Sequence, residues 1–415
     1  MPLDIPPDTR TTGEEFFRTE GVYTGAGAPI PGGQIDRWIL REGPHIDSDV
    51  ELFDELCWRL LGDGVPLWRA TLYMGTLHPL IRGVGVRWLR ELKVIEDFRI
   101  LHGSEETDEY LHSPIRATIE RGTPFRRRLI EETPEYPLLS KLRKAGVTDY
   151  FALPLNRTFR RFPVVTWATD RPDGFGDADI GAFEEINPAL AAIAETRAVR
   201  RISANLLDTY FGPQAGRRIL AGQIRQAEGE RMRAVIMMTD LRGFTALSDR
   251  LPADEVITLL DDYFDALATP IQERKGEVLK FMGDGMLAIF PAADDDDFPT
   301  SSMRALEAAT EGLQRLDAVN KKRSAKGRGE LRTGMGLHLG EVIFGNVGAA
   351  GRLDFTVIGP AVNLASRIED LTKRLSRPML FSSAFARVCP RPLVSLGFQP
   401  VRGLNEPEEV FGLPE

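Results

Sequence analysis

Apolar residues in the second half of the chain follow strand spacing first and helix spacing afterwards. The run AVIMM at 234–238 is typical of a buried strand, and residues 252–276 repeat apolar positions at helical spacing. Residues 277–290 predict a hairpin, 301–323 a second helix, and 355–375 a strand that runs into a third helix. The inner face of the first predicted helix carries Ile257, Leu260, Phe264, Leu267 and Ile271. This β-α-β-β-α-β order predicts a ferredoxin-like fold.

Between the second and third helices, residues 331–348 read as two strands joined by a glycine-rich turn. We therefore expect the predicted domain, residues 231–415, to contain a second short hairpin at this point.

The first half of the chain has a different pattern. Residues 1–46 are rich in Pro, Gly and polar side chains, so we expect an irregular segment. A helix is predicted after a cap at Asp47 or Ser48, and residues 148–155 and 160–170 read as two strands. This pattern predicts a domain over 47–187.

A helical connector is predicted over 188–230. Pro188 is expected to interrupt a helix capped near Asp177. Apolar residues then recur on one stripe at Leu190, Ile193, Ala194, Ala198, Ile202 and Leu206. Two interpretations remain open, a surface helix that packs on its own domain and a dimeric helix that connects two domains.

Composition narrows the class of protein. The chain has 415 residues, 42% hydrophobic and 27% charged, which is ordinary for a globular protein of two or three domains. Its net charge of −9 argues against nucleic acid as a partner. Two distant cysteines predict a reducing compartment. No apolar run is long enough to span a bilayer and no secretory signal is seen, so we expect a cytoplasmic protein.

Two aspartates carry the first candidate chemistry. Asp240 ends the first strand of the predicted domain and Asp284 lies at the hairpin tip, flanked by glycines. In a ferredoxin-like sheet these positions are neighbours, so both carboxylates can meet at one edge. Two oxygen ligands without a nearby His or Cys suit Mg²⁺ or Mn²⁺ better than zinc. The alternative for each residue alone is a helix cap at Asp240 and a tight turn at Asp284.

Three motifs resemble those of the class III nucleotidyl cyclases. They are MTDLRGFT at 238–245, KFMGDGMLAIF at 280–290 and FTVIGPAVNLASR at 355–367, and the resemblance covers about residues 232–414. It implies that Asp240 and Asp284 bind two divalent ions, Mg²⁺ or Mn²⁺. It also implies that the ribose 3′-hydroxyl of ATP attacks the α-phosphate, which forms cyclic AMP and releases pyrophosphate.

The same resemblance implies roles for five further residues. Lys280 and Thr356 match the positions that select the base, and Lys with Thr favours adenine over guanine. Asn363 and Arg367 match the pair that orients the ribose and offsets charge in the transition state. Arg402 lies where relatives often have a Lys that contacts the polyphosphate.

The resemblance also implies assembly. In this family the aspartates come from one catalytic domain, whereas the base-selecting and transition-state residues come from its partner. Because this chain carries both sets, we predict a C2 homodimer with two composite sites.

Residues 151–190 are similar to the closing strands and last helix of GAF domains. The predicted fold class is therefore α+β, a ferredoxin-like cyclase domain plus an N-terminal α/β GAF-like domain joined by a helical linker. A GAF-like domain would offer a pocket for a small-molecule regulator whose identity the sequence does not reveal.

Several functions remain open beside adenylate cyclase. A guanylate or pyrimidine nucleotide cyclase would keep the metal site and change the base. A diguanylate cyclase would require a GG[DE]EF signature, whereas this hairpin reads MGDGM. A catalytically silent relative would bind nucleotide only. The subgroup with Thr at the second base position also includes bicarbonate-responsive members.

Overall fold

We describe the protein from a computed structural model, which describes residues 17–24, 27–130, 136–155, 163–225, 229–349, 351–403 and 406–414. The chain divides into two compact units between Leu206 and Leu207. None of the helices in the described ranges is long and apolar enough to cross a membrane.

The N-terminal unit is an antiparallel sheet with helices. The sheet order is β1-β4-β3-β2-β7-β6-β5. Its strands are β1 (Phe17–Thr24), β2 (Arg69–Gly75), β3 (Ile81–Leu89), β4 (Val94–Leu101), β5 (Phe125–Arg128), β6 (Asp149–Pro154) and β7 (Val164–Thr169). Its helices are α1 (Ile35–Arg41), α2 (Asp49–Gly62), α3 (Asp108–Leu111), α4 (Pro114–Arg121), α5 (Pro137–Lys144) and α6 (Asp177–Phe211), whose last residues pass into the second unit.

Helix α2 forms as its sequence predicts. The Ser48 hydroxyl accepts a hydrogen bond from the Glu51 backbone N–H at 3.3 Å, which caps the helix. Leu52, Leu56 and Leu60 are buried on one face. Cys57 lies beside them in the core, and burial raises the pKa of its thiol well above the ordinary value. This cysteine is therefore a core residue.

The prediction of an irregular segment over 1–46 is wrong for part of the described residues. Strand β1 pairs with β4 from Phe17↔Ile100 to Thr24↔Val94, and α1 occupies Ile35–Arg41. An edge strand is held by main-chain hydrogen bonds to its neighbour, so it needs no strong apolar alternation of its own. Residues 1–16 and 25–26 lie outside the described part of the chain.

The predicted break at Pro188 is also wrong, because α6 runs from Asp177 to Phe211 with Pro188 inside it. Proline removes one backbone hydrogen bond, but packing supports this stretch of the helix. Phe183, Ile186, Leu190 and Ile193 are all buried in the core of the N-terminal unit. The predicted connector 188–230 is thus divided between the two units, and residues 226–228 are not described.

The C-terminal unit is built on a mixed sheet with the order β14-β15-β13-β11-β8-β10-β9, and β12 pairs with β11. Its strands are β8 (Gly229–Leu241), β9 (Glu277–Met282), β10 (Gly285–Ala292), β11 (Thr333–Ala349), β12 (Arg352–Ile358), β13 (Met379–Ser382), β14 (Val394–Gln399) and β15 (Glu408–Gly412). Its helices are α7 (Pro213–Leu220), α8 (Phe244–Ser248), α9 (Ala253–Glu273), α10 (Phe298–Ala325), α11 (Pro360–Arg374) and α12 (Ser383–Val388).

The predicted ferredoxin-like order of this unit is present in the structure. Strands β8, β9, β10 and β11, with helices α9 and α10, follow the β-α-β-β-α-β order, and β8 lies between β10 and β11. Val235 and Met237 face one apolar core, whereas Ala234 and Ile236 face another. The run AVIMM is continuously apolar because both faces of β8 are covered.

The two strands predicted over 331–348 are instead one strand, β11, which pairs with β8 along the whole length of β8. Its glycines serve close packing and make no turn. A Cβ at Gly336 would lie 2.5 Å from the Ala365 carbonyl oxygen, and one at Gly340 would lie 2.6 Å from the Ala361 Cβ. Both neighbours belong to α11, so these glycines let the helix approach the sheet.

The predicted inner face of α9 is wrong at Ile257, which is 61% exposed, and it omits Leu259 and Tyr263, which are buried. The prediction is confirmed at Leu267 and Ile271, which are buried, and at Leu260 and Phe264, which pack partly buried against the same core. Leu259, Tyr263, Leu267 and Ile271 are spaced by four, which places them on one helical face.

Candidate active site

The turn between β9 and β10 places Asp284 beside Asp240. Strand β10 pairs with β8 so that Gly285 lies opposite Asp240, and the Leu241 N–H donates to the Asp284 carbonyl oxygen at 3.2 Å. Gly283 has φ 65°, which glycine adopts at little cost. A Cβ at Gly285 would lie 2.9 Å from the Thr239 carbonyl oxygen, so glycine is needed there. The two predicted metal-binding residues are thus brought together at one sheet edge.

A buried hydroxyl cluster supports the backbone at Asp240. The Thr333 hydroxyl donates to the Asp240 carbonyl oxygen at 3.1 Å and lies 2.8 Å from the Tyr263 hydroxyl. The Tyr263 hydroxyl also donates to the Thr239 hydroxyl at 3.4 Å. Burial raises the pKa of Tyr263, so its hydroxyl remains protonated. Main-chain and buried hydroxyl groups therefore hold Asp240 in place.

Electrostatics at this edge favour a cation. Partial burial raises the pKa of Asp240, and the neighbouring charges of Asp284 and Asp370 raise it further. Burial also raises the pKa of Glu369 to about 7, together with the charges of Asp240 and Asp370. Carboxylates that repel each other in this way suit a divalent cation, and Mg²⁺ commonly takes one or two carboxylates together with substrate phosphates. Asp240 and Asp284 therefore fit a divalent ion.

Lys280 lies three residues before the hairpin turn, on β9, where it is opposite Leu287 of β10. Its ammonium forms an ion pair with Asp354 of β12. Thr356 follows two residues later on the same strand, opposite Gly345 of β11. The structure thus places the two predicted base-selecting residues on different strands, Lys280 on β9 and Thr356 on β12, and the Lys280–Asp354 ion pair joins these strands.

Asn363 and Arg367 lie one turn apart on α11, where Asn363 is exposed and Arg367 is half-buried. A Cβ added at Gly403 would lie 3.1 Å from an Arg367 guanidinium nitrogen, so the arginine approaches the loop that carries Arg402. Arg402 itself is exposed. The structure therefore groups Arg367 with the Arg402 loop.

Sequence reasoning did not single out Tyr263, Asp354 or Glu369. A tyrosine in a predicted helix looks like ordinary core. Asp354 lies 74 residues from Lys280 along the chain. A signal for Asp354 was available, since it stands two residues before Thr356 and so shares a strand face with it.

Comparison with known proteins finds a family match for part of the C-terminal unit. Residues 228–376 match the adenylate and guanylate cyclase catalytic domain. An adenylate cyclase of Anabaena cylindrica is 34% identical over 218 residues, which are 49% of this chain and 42% of that protein. Adenylate cyclase 1 of Rhizobium meliloti is 28% identical over 225 residues, 53% of this chain and 34% of that protein. The chain thus spans less than half the length of these curated relatives.

Two solved structures are also similar in part. The adenylyl cyclase CyaB from P. aeruginosa is 26% identical with a TM-score of 0.42, over 45% of this chain and 96% of that chain. The guanylyl cyclase Cya2 is 31% identical with a TM-score of 0.40, over 45% of this chain and 95% of that chain. The family match, with the curated relatives, supports a class III adenylyl and guanylyl cyclase catalytic domain over residues 228–376 of the C-terminal unit.

Proposed function

We propose that the protein is an adenylate cyclase, which converts ATP to 3′,5′-cyclic AMP and pyrophosphate. The observation that carries the proposal is the placement of Lys280 against β12, the strand of Thr356, in the unit that also holds the Asp240–Asp284 pair. An ammonium donates to adenine N1, which is an acceptor, and a hydroxyl accepts from the adenine amino group. Guanine presents an N1–H donor to the same lysine, so the pair favours ATP.

The remaining roles are those that the resemblance to class III nucleotidyl cyclases implies. Asp240 and Asp284 would hold two Mg²⁺ or Mn²⁺ ions. Such ions lower the pKa of the ribose 3′-hydroxyl and neutralise the triphosphate when bound. The 3′-oxygen loses its proton and bonds to the α-phosphorus, and the bond to the bridging oxygen breaks, which releases pyrophosphate. Arg367 stabilises charge on the α-phosphate, Asn363 orients the ribose and Arg402 contacts the polyphosphate.

The assembly proposed for this reaction is a homodimer with two composite sites. Each site would take Asp240 and Asp284 from one protomer and the nucleotide-binding residues from the other.

The N-terminal region is proposed to regulate the enzyme as a GAF-like sensor domain over 47–187, with a small molecule as its ligand. The connector 188–230 would transmit the signal to the catalytic domain, residues 231–415. The antiparallel sheet flanked by helices in the N-terminal unit supports this proposal.

Product analysis tests the proposed activity. Purified protein is incubated with Mg²⁺ or Mn²⁺ and, separately, with ATP, GTP, CTP and UTP. Asp284→Asn serves as the site variant. Asp317→Asn serves as the matched control, because Asp317 pairs with Lys321 on the exposed surface of α10.

We expect cyclic AMP from ATP alone, lost in Asp284→Asn and retained in Asp317→Asn. A different cyclic product would overturn the base preference and leave the metal site standing. Equal activity of Asp284→Asn and the native protein would overturn the metal site.

A further inference from the structure

The ion pair between Lys280 and Asp354 joins two strands that are not neighbours in the sheet. Lys280 belongs to β9 and Asp354 to β12, and the two side chains are 42% and 45% exposed. The ammonium is therefore held at the surface of the C-terminal unit and still accessible to a ligand.

Asp354 also shares its strand face with Thr356. Successive side chains of a strand point to opposite faces. Phe355 and Val357 are buried in the core, so Asp354 and Thr356 lie on the other face, where both are half-buried. Asp354, which pairs with Lys280, and Thr356 thus lie on the same face of β12.

The Lys280–Asp354 ion pair borders an open cavity of about 860 Å³ within the C-terminal unit. Lys280 and Asp354 both line it, together with Tyr210, Arg217, Lys275 and Phe281. The volume is within the range of small-molecule sites, so there is room for a base beside the ion pair.

We infer that Asp354 is a positioning residue for base selection, which holds the Lys280 ammonium beside Thr356 in the orientation that reads the base. An ammonium has three donors and no acceptor. One donor engages the Asp354 carboxylate, which leaves others for an acceptor such as adenine N1. Lysine has a long flexible side chain, so without the carboxylate its ammonium would sample many positions. This inference rests on the proposed role of Lys280 in adenine recognition.

The test is a double-mutant cycle on base discrimination. Binding of 3′-deoxy-ATP and 3′-deoxy-GTP, which lack the attacking hydroxyl, is measured by calorimetry for the full chain. The ratio of the two dissociation constants is compared among the native protein, Asp354→Ala, Asp354→Glu, Lys280→Met and the double variant Lys280→Met with Asp354→Ala. Asp317→Ala on α10 is the matched surface control. Turnover of ATP is recorded in parallel.

We expect Asp354→Ala to reduce the preference for the adenine nucleotide about two- to fivefold, and fivefold is the upper limit for the loss of an exposed ion pair. Asp354→Glu restores the preference because it restores the carboxylate. In the Lys280→Met background, Asp354→Ala changes nothing further, since its only route to the base is through the lysine. A residue with a merely structural role would not show this dependence on Lys280.

Two results would overturn the inference. One is an unchanged ratio in Asp354→Ala, and the other is an equal loss in the presence and in the absence of Lys280. Failure of the proposed function would look different. The native protein would then form no cyclic AMP, whereas the binding ratio would still respond to Asp354→Ala.

Discussion

The buried hydroxyl of Tyr263 supports the candidate metal site through Thr333, which contacts the backbone of Asp240. Tyr263→Phe removes the partner of the Thr333 hydroxyl, which itself donates to the Asp240 carbonyl oxygen. We expect a loss of about 1 kcal/mol in the free energy of unfolding, since a buried hydrogen bond is lost. We also expect the Mg²⁺ concentration for half-maximal activity to rise, because Asp240 is less firmly held. Denaturant unfolding and a Mg²⁺ titration of cyclase activity measure the two effects.

The control for this prediction is Tyr23→Phe, at a tyrosine that is 46% exposed. Tyr23→Phe removes the same phenolic oxygen, but at an exposed position where water can replace its hydrogen bonds. An equal loss in both variants, or an unchanged Mg²⁺ titration in Tyr263→Phe, would contradict the supporting role.

Only some of the contacts at the candidate site could be predicted from the sequence. The adjacency of Asp240 and Asp284 could be predicted, because strand order and a two-residue turn determine it. The support from Tyr263 could not be predicted, because it depends on which side of α9 packs on the sheet and on the Thr239 and Thr333 hydroxyls that this packing brings near. The contact between Lys280 and Asp354 could not either, since it depends on how β12 approaches β9. The chemical roles of all these residues stay predictions.

At the scale of elements, α7 and β9 are joined by one buried carboxyl group. The Glu277 carboxylate accepts from the Gln214 N–H at 2.9 Å, at the start of α7. Gly212 has φ 84°, and a Cβ there would lie 2.7 Å from the same carboxylate. A helix N-terminus favours a negative charge. Even so, burial raises the pKa of Glu277 above its ordinary value of 4.5.

This shift predicts how stability depends on pH. An acid whose pKa is higher in the folded state than in the unfolded state loses stability as pH rises through the folded value. The free energy of unfolding therefore begins to fall near pH 4.5, and it goes on falling until the pH has passed the raised pKa of Glu277 in the folded protein. Glu277→Gln cannot ionise, so its melting temperature relative to the native protein should increase between pH 4.5 and pH 8. Thermal unfolding at several pH values measures this difference.

Glu341→Gln, at an exposed residue of β11 paired with Arg231, is the comparison variant. A Glu277→Gln difference that stays constant across the pH range, or one that follows Glu341→Gln, would contradict the assigned cause.

The elements also explain which parts of the fold could be predicted from the sequence and which could not. The β-α-β-β-α-β order was readable because its strands are covered on both faces and its helices are long and amphipathic. The single strand β11 was not readable, because Gly336 and Gly340 punctuate the sequence for reasons of helix packing. The continuity of α6 through Pro188 depends on the buried residues around it. Tertiary packing overrode the local signal at both places.

On the scale of the whole molecule, the chain carries two sets of candidate groups. Asp240 and Asp284 form one set at the sheet edge. Lys280 on β9 and the α11 pair, Asn363 and Arg367, form the other. If two protomers assemble by a twofold axis, each site takes one set from each protomer. This assembly makes a prediction that no single-chain site would make.

Two inactive variants should complement each other. Asp240→Asn with Asp284→Asn removes one set, and Asn363→Ala with Arg367→Ala removes the other. Co-expressed in equal amounts, they should recover about one quarter of native activity, because about half of the dimers are mixed and each mixed dimer holds one intact site. The measurement is cyclic AMP formation by the co-purified mixture. A mixture of Asp240→Asn and Asp284→Asn, whose lesions fall in the same set, should stay inactive because no dimer then has an intact aspartate pair. If the first mixture is equally inactive while sedimentation shows mixed dimers, each protomer must build its site from its own residues.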